Sequence, residues 1–160
     1  MDKLYQIKDA QIEDCHIILK FINDLALFEK APQEVAVSLE QLRKDGFGDT
    51  RRFEAQIAWQ DDTPVGMALF YHRYSTWKGL SLYLEDLYVD PAHRGKGIAS
   101  RFMKNLCEIS LERGCGRFEW QVLDWNEGAI KFYKSMGATL DPEWLNCRMV
   151  PDSIRSWLKK

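Results

Sequence analysis

A glycine-rich turn between an apolar strand and an amphipathic helix constrains the fold of this chain more than any other stretch. The turn reads RGKGIAS at residues 94–100, and it follows a strand predicted to end near Val89. Glycine has no Cβ, so it lets the backbone approach a ligand closely. A helix start presents unpaired N–H groups and the positive end of the helix dipole. Because Arg94 and Lys96 add two cations there, the turn predicts capture of a pyrophosphate.

The sequence of this turn does not match two common phosphate-binding motifs. A Walker A loop would need glycine where Asp90 stands and Ser or Thr where Gly97 stands. A dinucleotide fingerprint would need a third glycine at Ser100, and it normally opens the first βαβ unit of a chain. A basic glycine turn can also cap a helix and bind nothing, and the turn by itself leaves that alternative open.

Hydrophobic periodicity predicts one α/β (α+β) domain over residues 1–160. The strands are expected at residues 3–8, 52–60, 65–74, 80–89 and 117–123, and the helices at 12–30, 38–44, 97–113 and between 125 and 137. The tail at 138–150 is expected to add one or two strands before a short helix at 151–160. The order predicts a mixed, mostly antiparallel sheet of six to seven strands flanked by helices.

The alternation of apolar residues changes phase within the fourth predicted strand. Its apolar residues change parity, from Leu80, Leu82 and Leu84 to Leu87 and Val89. Strand faces alternate with period two, so the slip at Glu85-Asp86 predicts a β-bulge. A strand covered on both faces could show the same letters by chance. In an acyl-transfer site, the unpaired N–H of a bulge is a donor for the carbonyl oxygen.

Composition excludes several classes of function. The net charge of −2 lacks the basic field expected of a nucleic-acid binder. No apolar run reaches the ~20 residues that span a bilayer, and the first ten residues lack a signal-peptide core, so we expect a cytoplasmic protein with no membrane partner. The four cysteines and three histidines show no metal-ligand spacing, so no metal site is expected.

Motifs around the turn resemble a known family. RGKGIAS fits the R-G-x-G-I-[G/A] pyrophosphate loop, and YLED at 83–86 and WNEGAIKFYKSMGA at 125–138 accompany it. With ALFEK near residue 28 and YHRYSTWKG before the fourth strand, these segments resemble the polyamine (spermidine/spermine) N-acetyltransferase branch of the GNAT superfamily. The resemblance implies a sheet splayed between the fourth and fifth strands, acetyl-CoA as cosubstrate and a homodimer.

The same resemblance implies how coenzyme A is held. The turn would hold the diphosphate, the strand before it would pair with pantetheine and polarise the thioester, and the start of the fourth helix would assist. The expected cofactor-binding residues are Leu87, Tyr88, Val89, Arg94, Gly95, Lys96, Gly97, Ile98, Ala99, Ser100, Asn126, Glu127, Gly128, Ala129 and Tyr133.

Tyr133 is the expected catalytic acid. It lies two helical turns, ~10 Å, beyond Asn126 on the same helix face. A phenol remains protonated at neutral pH and can donate to a departing thiolate, and the resemblance gives this tyrosine that role. The alternative is that Tyr133, like its neighbour Phe132, packs the helix onto the sheet.

Glu85 is the expected acceptor of the amine proton, directly or through water, as the resemblance implies. Asp86 could instead have a structural role, in which its carboxylate accepts hydrogen bonds from the neighbouring backbone. Glu29 matches an amine-contacting position of the family, although it could equally be a solvated surface carboxylate. Phe28 stands where the family carries Tyr, so it lacks a hydroxyl that could contact the amine. Trp77 could line a channel for the amine, because aromatic faces attract cations. The expected substrate-binding residues are Phe28, Glu29, Glu85 and Trp77.

These features favour an N-acetyltransferase that moves the acetyl group of acetyl-CoA directly to a primary amine. The expected acceptor is a small polyamine, diamine or lysine-like diamino acid. A protein N-terminus or lysine is an alternative acceptor, and a non-catalytic acyl-CoA-binding module is an alternative function.

Overall fold

A mixed five-stranded sheet is the centre of the first of two compact units in the computed structural model. The model describes residues 4–159, and the units divide between Gln121 and Val122. The first unit contains β1 (Gln6–Asp9), α1 (Cys15–Phe28), α2 (Leu39–Phe47), β2 (Glu54–Gln60), β3 (Thr63–Ser75), β4 (Gly79–Val89), α3 (Ile98–Glu112) and β5 (Arg117–Trp120). The second unit contains α4 (Glu127–Ser135) and α5 (Pro151–Trp157).

The strands of the sheet lie side by side in chain order. β1 to β4 pair antiparallel with their neighbours, and β5 pairs parallel with β4. A parallel pair needs a crossover connection, and α3 supplies it. The fold class is therefore confirmed: an α/β fold with a mixed, mostly antiparallel sheet flanked by helices.

Helices cover both faces of the sheet. Ile18 and Phe21 of α1 are almost fully buried and belong to the same apolar cluster as Met67 of β3. Neighbouring side chains on a strand point to opposite faces, and a Cβ on Gly66 would lie 3.4 Å from the Phe102 ring of α3. β3 therefore lies between α1 on one side and α3 on the other.

Most predicted elements form, with shifted ends. α1 begins at Cys15 because residues Ile12–Asp14 form a 3-10 turn. Ser38 caps α2 by accepting a hydrogen bond from the amide of Gln41 at 3.0 Å. The first strand lies at Gln6–Asp9, and Lys3, its predicted start, is outside the described residues. Within those residues, no helix is long and apolar enough to cross a bilayer.

The prediction of a sixth and a seventh strand is wrong. Between Ala138 and Val150 the described chain forms no strand, and β5 ends at Trp120 instead of residue 123. A strand exists only where a neighbour accepts its ladder hydrogen bonds, and an apolar letter pattern cannot supply that neighbour. The large side chains of the tail are instead exposed, including Trp144 at 73% and Leu145 at 86%.

Candidate active site

The glycine turn between β4 and α3 has a backbone that only glycine adopts readily. Gly95 has φ of 73° and Gly97 has φ of 77°, which lie in the left-handed region. A Cβ at either position would meet nothing within 4 Å. The glycines are therefore required by backbone conformation, and the space beside the turn is open to a ligand.

The start of α3 presents unpaired amides to that space. Gly97 is the N-cap and has no side chain to satisfy them, and the first turn carries no acidic residue. The first helical hydrogen bond runs from the amide of Arg101 to the carbonyl of Gly97, at 3.1 Å. The preceding amides of the first turn have no carbonyl to reach within the helix. With the helix dipole, they fit a diphosphate.

Two cations flank these amides. Arg94 Nε donates to the carbonyl of Val89 at 3.0 Å, and its guanidinium lies 4.9 Å from the centre of the Phe28 ring. Lys96 Nζ donates to the carbonyl of Ala92 at 3.2 Å. Both side chains are exposed, so they add positive charge beside the turn without burying it.

Tyr5 ties both ends of the turn to the N-terminal part of the chain. Its hydroxyl bonds to Nδ1 of His93 at 3.2 Å, just before the turn. Its carbonyl accepts from Arg101 Nη1 at 2.7 Å, just after the turn. The sequence did not predict this support, because these residues are far apart along the chain.

The predicted β-bulge in β4 is confirmed. Phe70 pairs with Leu84 and Leu69 pairs with Asp86, so Glu85 is the extra residue. The insertion places Tyr83 and Asp86 on one face of the sheet, although residues three apart on a regular strand face opposite ways.

β4 and β5 separate at the bulge. β5 pairs with residues 81–84 of β4 and ends there. From Glu85 to Val89, no strand in the described part of the chain pairs with that edge of β4. The expected pantetheine-binding residues Leu87, Tyr88 and Val89 thus lie beside an open edge, where an extended ligand can take the place of a strand.

Three carboxyl groups gather near the bulge. Glu29 follows α1 directly, and Glu85 and Asp86 lie on β4. Burial, reinforced by Glu85 and then Glu29, raises the pKa of Asp86 to about 7. Burial and Glu85 also raise the pKa of Glu29. The carboxyl groups of the cluster therefore repel one another, and a bound ammonium group would reduce that repulsion.

Two tyrosines whose roles the sequence did not predict flank this cluster. Tyr71 Oη donates to Glu85 Oε2 at 2.7 Å. Tyr71 pairs with Tyr83 across the β3–β4 hairpin, and their ring centres are 5.4 Å apart. Burial raises the pKa of both phenols, with Glu85 as a further cause. Counting the register from the hairpin end could have placed these rings opposite each other.

The structure brings Phe28 to the cofactor turn and leaves Trp77 elsewhere. Phe28 and Arg94 line a groove of about 380 Å³ between α1 and the end of β4, together with Lys20, Asp24, Leu27, Tyr88, Asp90 and Pro91. Trp77 is 79% exposed in the turn between β3 and β4. At ~3.4 Å per residue, β4 separates Glu85 from that turn by ~20 Å.

In the second unit, α4 begins as predicted after Trp125. Asn126 caps it, since its Oδ1 accepts from the amide of Ala129 at 3.2 Å. Tyr133 is 8% exposed and packs against Phe132 with ring centres 5.3 Å apart. Burial raises the pKa of Tyr133 to about 12, so its hydroxyl keeps its proton at any working pH.

Comparison with known proteins identifies the family. A family model described as "Acetyltransferase (GNAT) family" matches residues 19–138. The chain belongs to the GNAT family of acetyltransferases. This agrees with the glycine turn and with the separation of β4 and β5, which the resemblance implied. Among the residues that the structure describes, no group of three or more His, Cys, Asp or Glu side chains could hold a metal ion.

Relatives of this GNAT acetyltransferase confirm the polyamine branch. Thialysine N-epsilon-acetyltransferase of Mus musculus is 40% identical over 161 residues, which cover 94% of this chain and 95% of that protein. Spermidine/spermine N(1)-acetyltransferase-like protein 1 of Homo sapiens is 36% identical over 84% of this chain and 20% of that protein. A solved integron cassette protein from the V. cholerae mobile metagenome has a TM-score of 0.80 at 26% identity, covering 99% and 100% of the two chains.

Proposed function

We propose that this GNAT acetyltransferase transfers the acetyl group of acetyl-CoA directly to a primary amine of a small polyamine, diamine or lysine-like diamino acid. The carboxyl cluster of Glu29, Glu85 and Asp86 at the bulge carries the proposal. Two of these groups have raised pKa values because they are buried near like charge. A substrate with more than one ammonium group compensates such a cluster better than a monoamine does. The names of the thialysine and spermidine/spermine relatives support the same acceptor class.

The proposed cofactor site begins at the glycine turn. The amides of Gly95 to Ser100 would bind the diphosphate, with Arg94 and Lys96 adding positive charge. The open edge of β4 from Leu87 to Val89 would pair with the extended pantetheine arm. When bound, acetyl-CoA supplies an activated thioester whose carbonyl oxygen needs a hydrogen-bond donor, and the bulge provides backbone N–H groups at that edge.

The proposed chemistry uses two side chains. Glu85 accepts a proton from the substrate ammonium, directly or through water, which exposes the lone pair of the nitrogen. Tyr133 donates its hydroxyl proton to the departing thiolate, since a phenol carries its proton at neutral pH. Phe28 and Glu29 would contact the acceptor, with Asn126 to Ala129 assisting on the cofactor side. Trp77 would contact only acceptors long enough to reach the turn between β3 and β4. By family resemblance, we also infer a cytoplasmic homodimer.

The test is a thiol-release screen with acetyl-CoA. Polyamines, diamines, lysine-like diamino acids, aminated antibiotics and lysine peptides serve as acceptors. We expect turnover with the small diamines, and we expect Glu85→Gln to lower kcat/KM by about a hundredfold. Glu40→Gln, which changes an exposed carboxylate in α2, is the matched control. Turnover with peptides alone, or coenzyme A binding without thiol release from any amine, would refute the proposal.

A further inference from the structure

We propose that Tyr71 is a positioning residue that holds the Glu85 carboxylate in its charged, proton-accepting form. The inference rests on the proposed function, in which Glu85 takes the amine proton. Its basis is the hydrogen bond from Tyr71 Oη to Glu85 Oε2, at 2.7 Å. The bond joins β3 to the one residue of β4 that has no partner of its own in the ladder.

The ring of Tyr71 is itself held in place. It packs against Tyr83 with ring centres 5.4 Å apart. The guanidinium of Arg73 lies 5.0 Å from the centre of the Tyr83 ring, and Arg73 Nε is 3.6 Å from Glu119 Oε2. This series of contacts restricts the rotamer of the phenol, so its hydroxyl reaches Glu85 from a fixed direction.

The charges around Glu85 explain why it needs such a donor. Asp86 on β4 and Glu29 after α1 are carboxyl groups, and each interacts electrostatically with Glu85. The phenols of Tyr71 and Tyr83 face Glu85 from the two strands, and the positive charge of Arg73 acts on both phenols. Two neighbouring acids oppose a third negative charge, whereas a hydrogen bond to the ionised carboxylate favours it. Tyr71 is the side chain that supplies this bond.

Tyr71 acts only as a donor in this arrangement. Burial, followed by the hydrogen bond to Glu85, raises the pKa of Tyr71 well above its usual range. Because Tyr71 occupies Oε2, Oε1 is left to receive the proton. In that step the N–H bond of the ammonium breaks, an O–H bond forms at Oε1, and the electron pair stays on the nitrogen for attack on the thioester.

The test is the pH profile of kcat/KM for Tyr71→Phe. The substitution removes one oxygen and keeps the ring, so it should fold, which a thermal melt checks. We expect the acid limb to move to higher pH by about one unit, a tenfold loss at acid pH that shrinks at alkaline pH. The matched control is Tyr74→Phe, which changes a 74%-exposed phenol on the same strand and should leave the limb in place. A uniform loss at every pH, or an unchanged profile, would overturn the inference.

Glu85→Gln separates this inference from the proposed function. If Glu85→Gln leaves the rate and the acid limb unchanged, the base role of Glu85 fails and the role of Tyr71 fails with it, while turnover of diamines would still support the proposed acceptor class. If Glu85→Gln removes the acid limb while the Tyr71→Phe profile superimposes on wild type, only the Tyr71 inference fails. In the double variant we expect no further shift of the limb, because Glu85→Gln has already removed the group whose titration Tyr71 would influence.

Discussion

Replacing Asp86 with asparagine should stabilise the protein at neutral and alkaline pH. In the folded chain the pKa of Asp86 is raised from 3.8 to about 7, first by burial and then by Glu85 and Glu29. Between these two values the unfolded chain has lost the proton that the folded chain keeps, so stability falls as pH rises through the window. Above pH 7 the penalty is complete, and Asp86→Asn removes it because an amide does not ionise.

The size of this effect follows from the two pKa values. Their separation, from 3.8 to about 7, corresponds to an upper limit of ~4 kcal/mol at 1.36 kcal/mol per pH unit. Local relaxation and the remaining polarity of asparagine reduce the gain. We therefore expect Asp86→Asn to raise the free energy of unfolding by about 2–3 kcal/mol at pH 8 and by almost nothing near pH 4.

Urea denaturation of both proteins at pH 5, 6, 7 and 8 measures this directly. The difference in unfolding free energy should grow with pH and level off above 7, with little change in the slope m. Asp62→Asn, in the exposed turn between β2 and β3, is the control and should show no such trend. A difference that is constant with pH, or a variant less stable than wild type at pH 8, would show that Asp86 is not a penalised buried acid.

Two further substitutions test the cofactor turn and the catalytic acid. Gly97→Ala should strain the backbone by about 1 kcal/mol and weaken coenzyme A binding in calorimetry. Gly137→Ala, at an equally positive φ of 88°, should cause similar strain and leave binding intact; equal binding losses would count against the turn. Tyr133→Phe should lower kcat by about a hundredfold with little change in KM, because a transition-state interaction is lost. Unchanged turnover of Tyr133→Phe at all pH values would exclude its role as the acid.

Features encoded by local backbone chemistry could be predicted from the sequence. The glycine turn was predictable because Gly95 and Gly97 fill positions where φ is positive. The bulge was predictable because one inserted residue changes the parity of a whole strand. The cap of α4 at Asn126 and its end before Gly137 are local in the same sense.

Features that depend on distant partners could not be predicted. The Tyr71–Glu85 hydrogen bond depends on the register between β3 and β4. Tyr5 and His93 form a hydrogen bond although they are 88 residues apart in the sequence. The aromatic ring of Trp77 predicts an amine contact, but the length of β4 separates it from the carboxyl cluster. The apolar letters of the tail predicted strands because sequence alone does not show whether a pairing edge is available.

The bulge also means that Glu85 is surplus to the sheet. Leu84 and Asp86 already oppose consecutive residues of β3, so a chain without Glu85 could continue the ladder with every later residue opposite its present partner. The hydrogen-bonded framework would become more regular, while the proposed base and the local kink would both disappear. Deletion of the single codon for Glu85 would therefore keep the architecture of the sheet and remove the proposed chemistry.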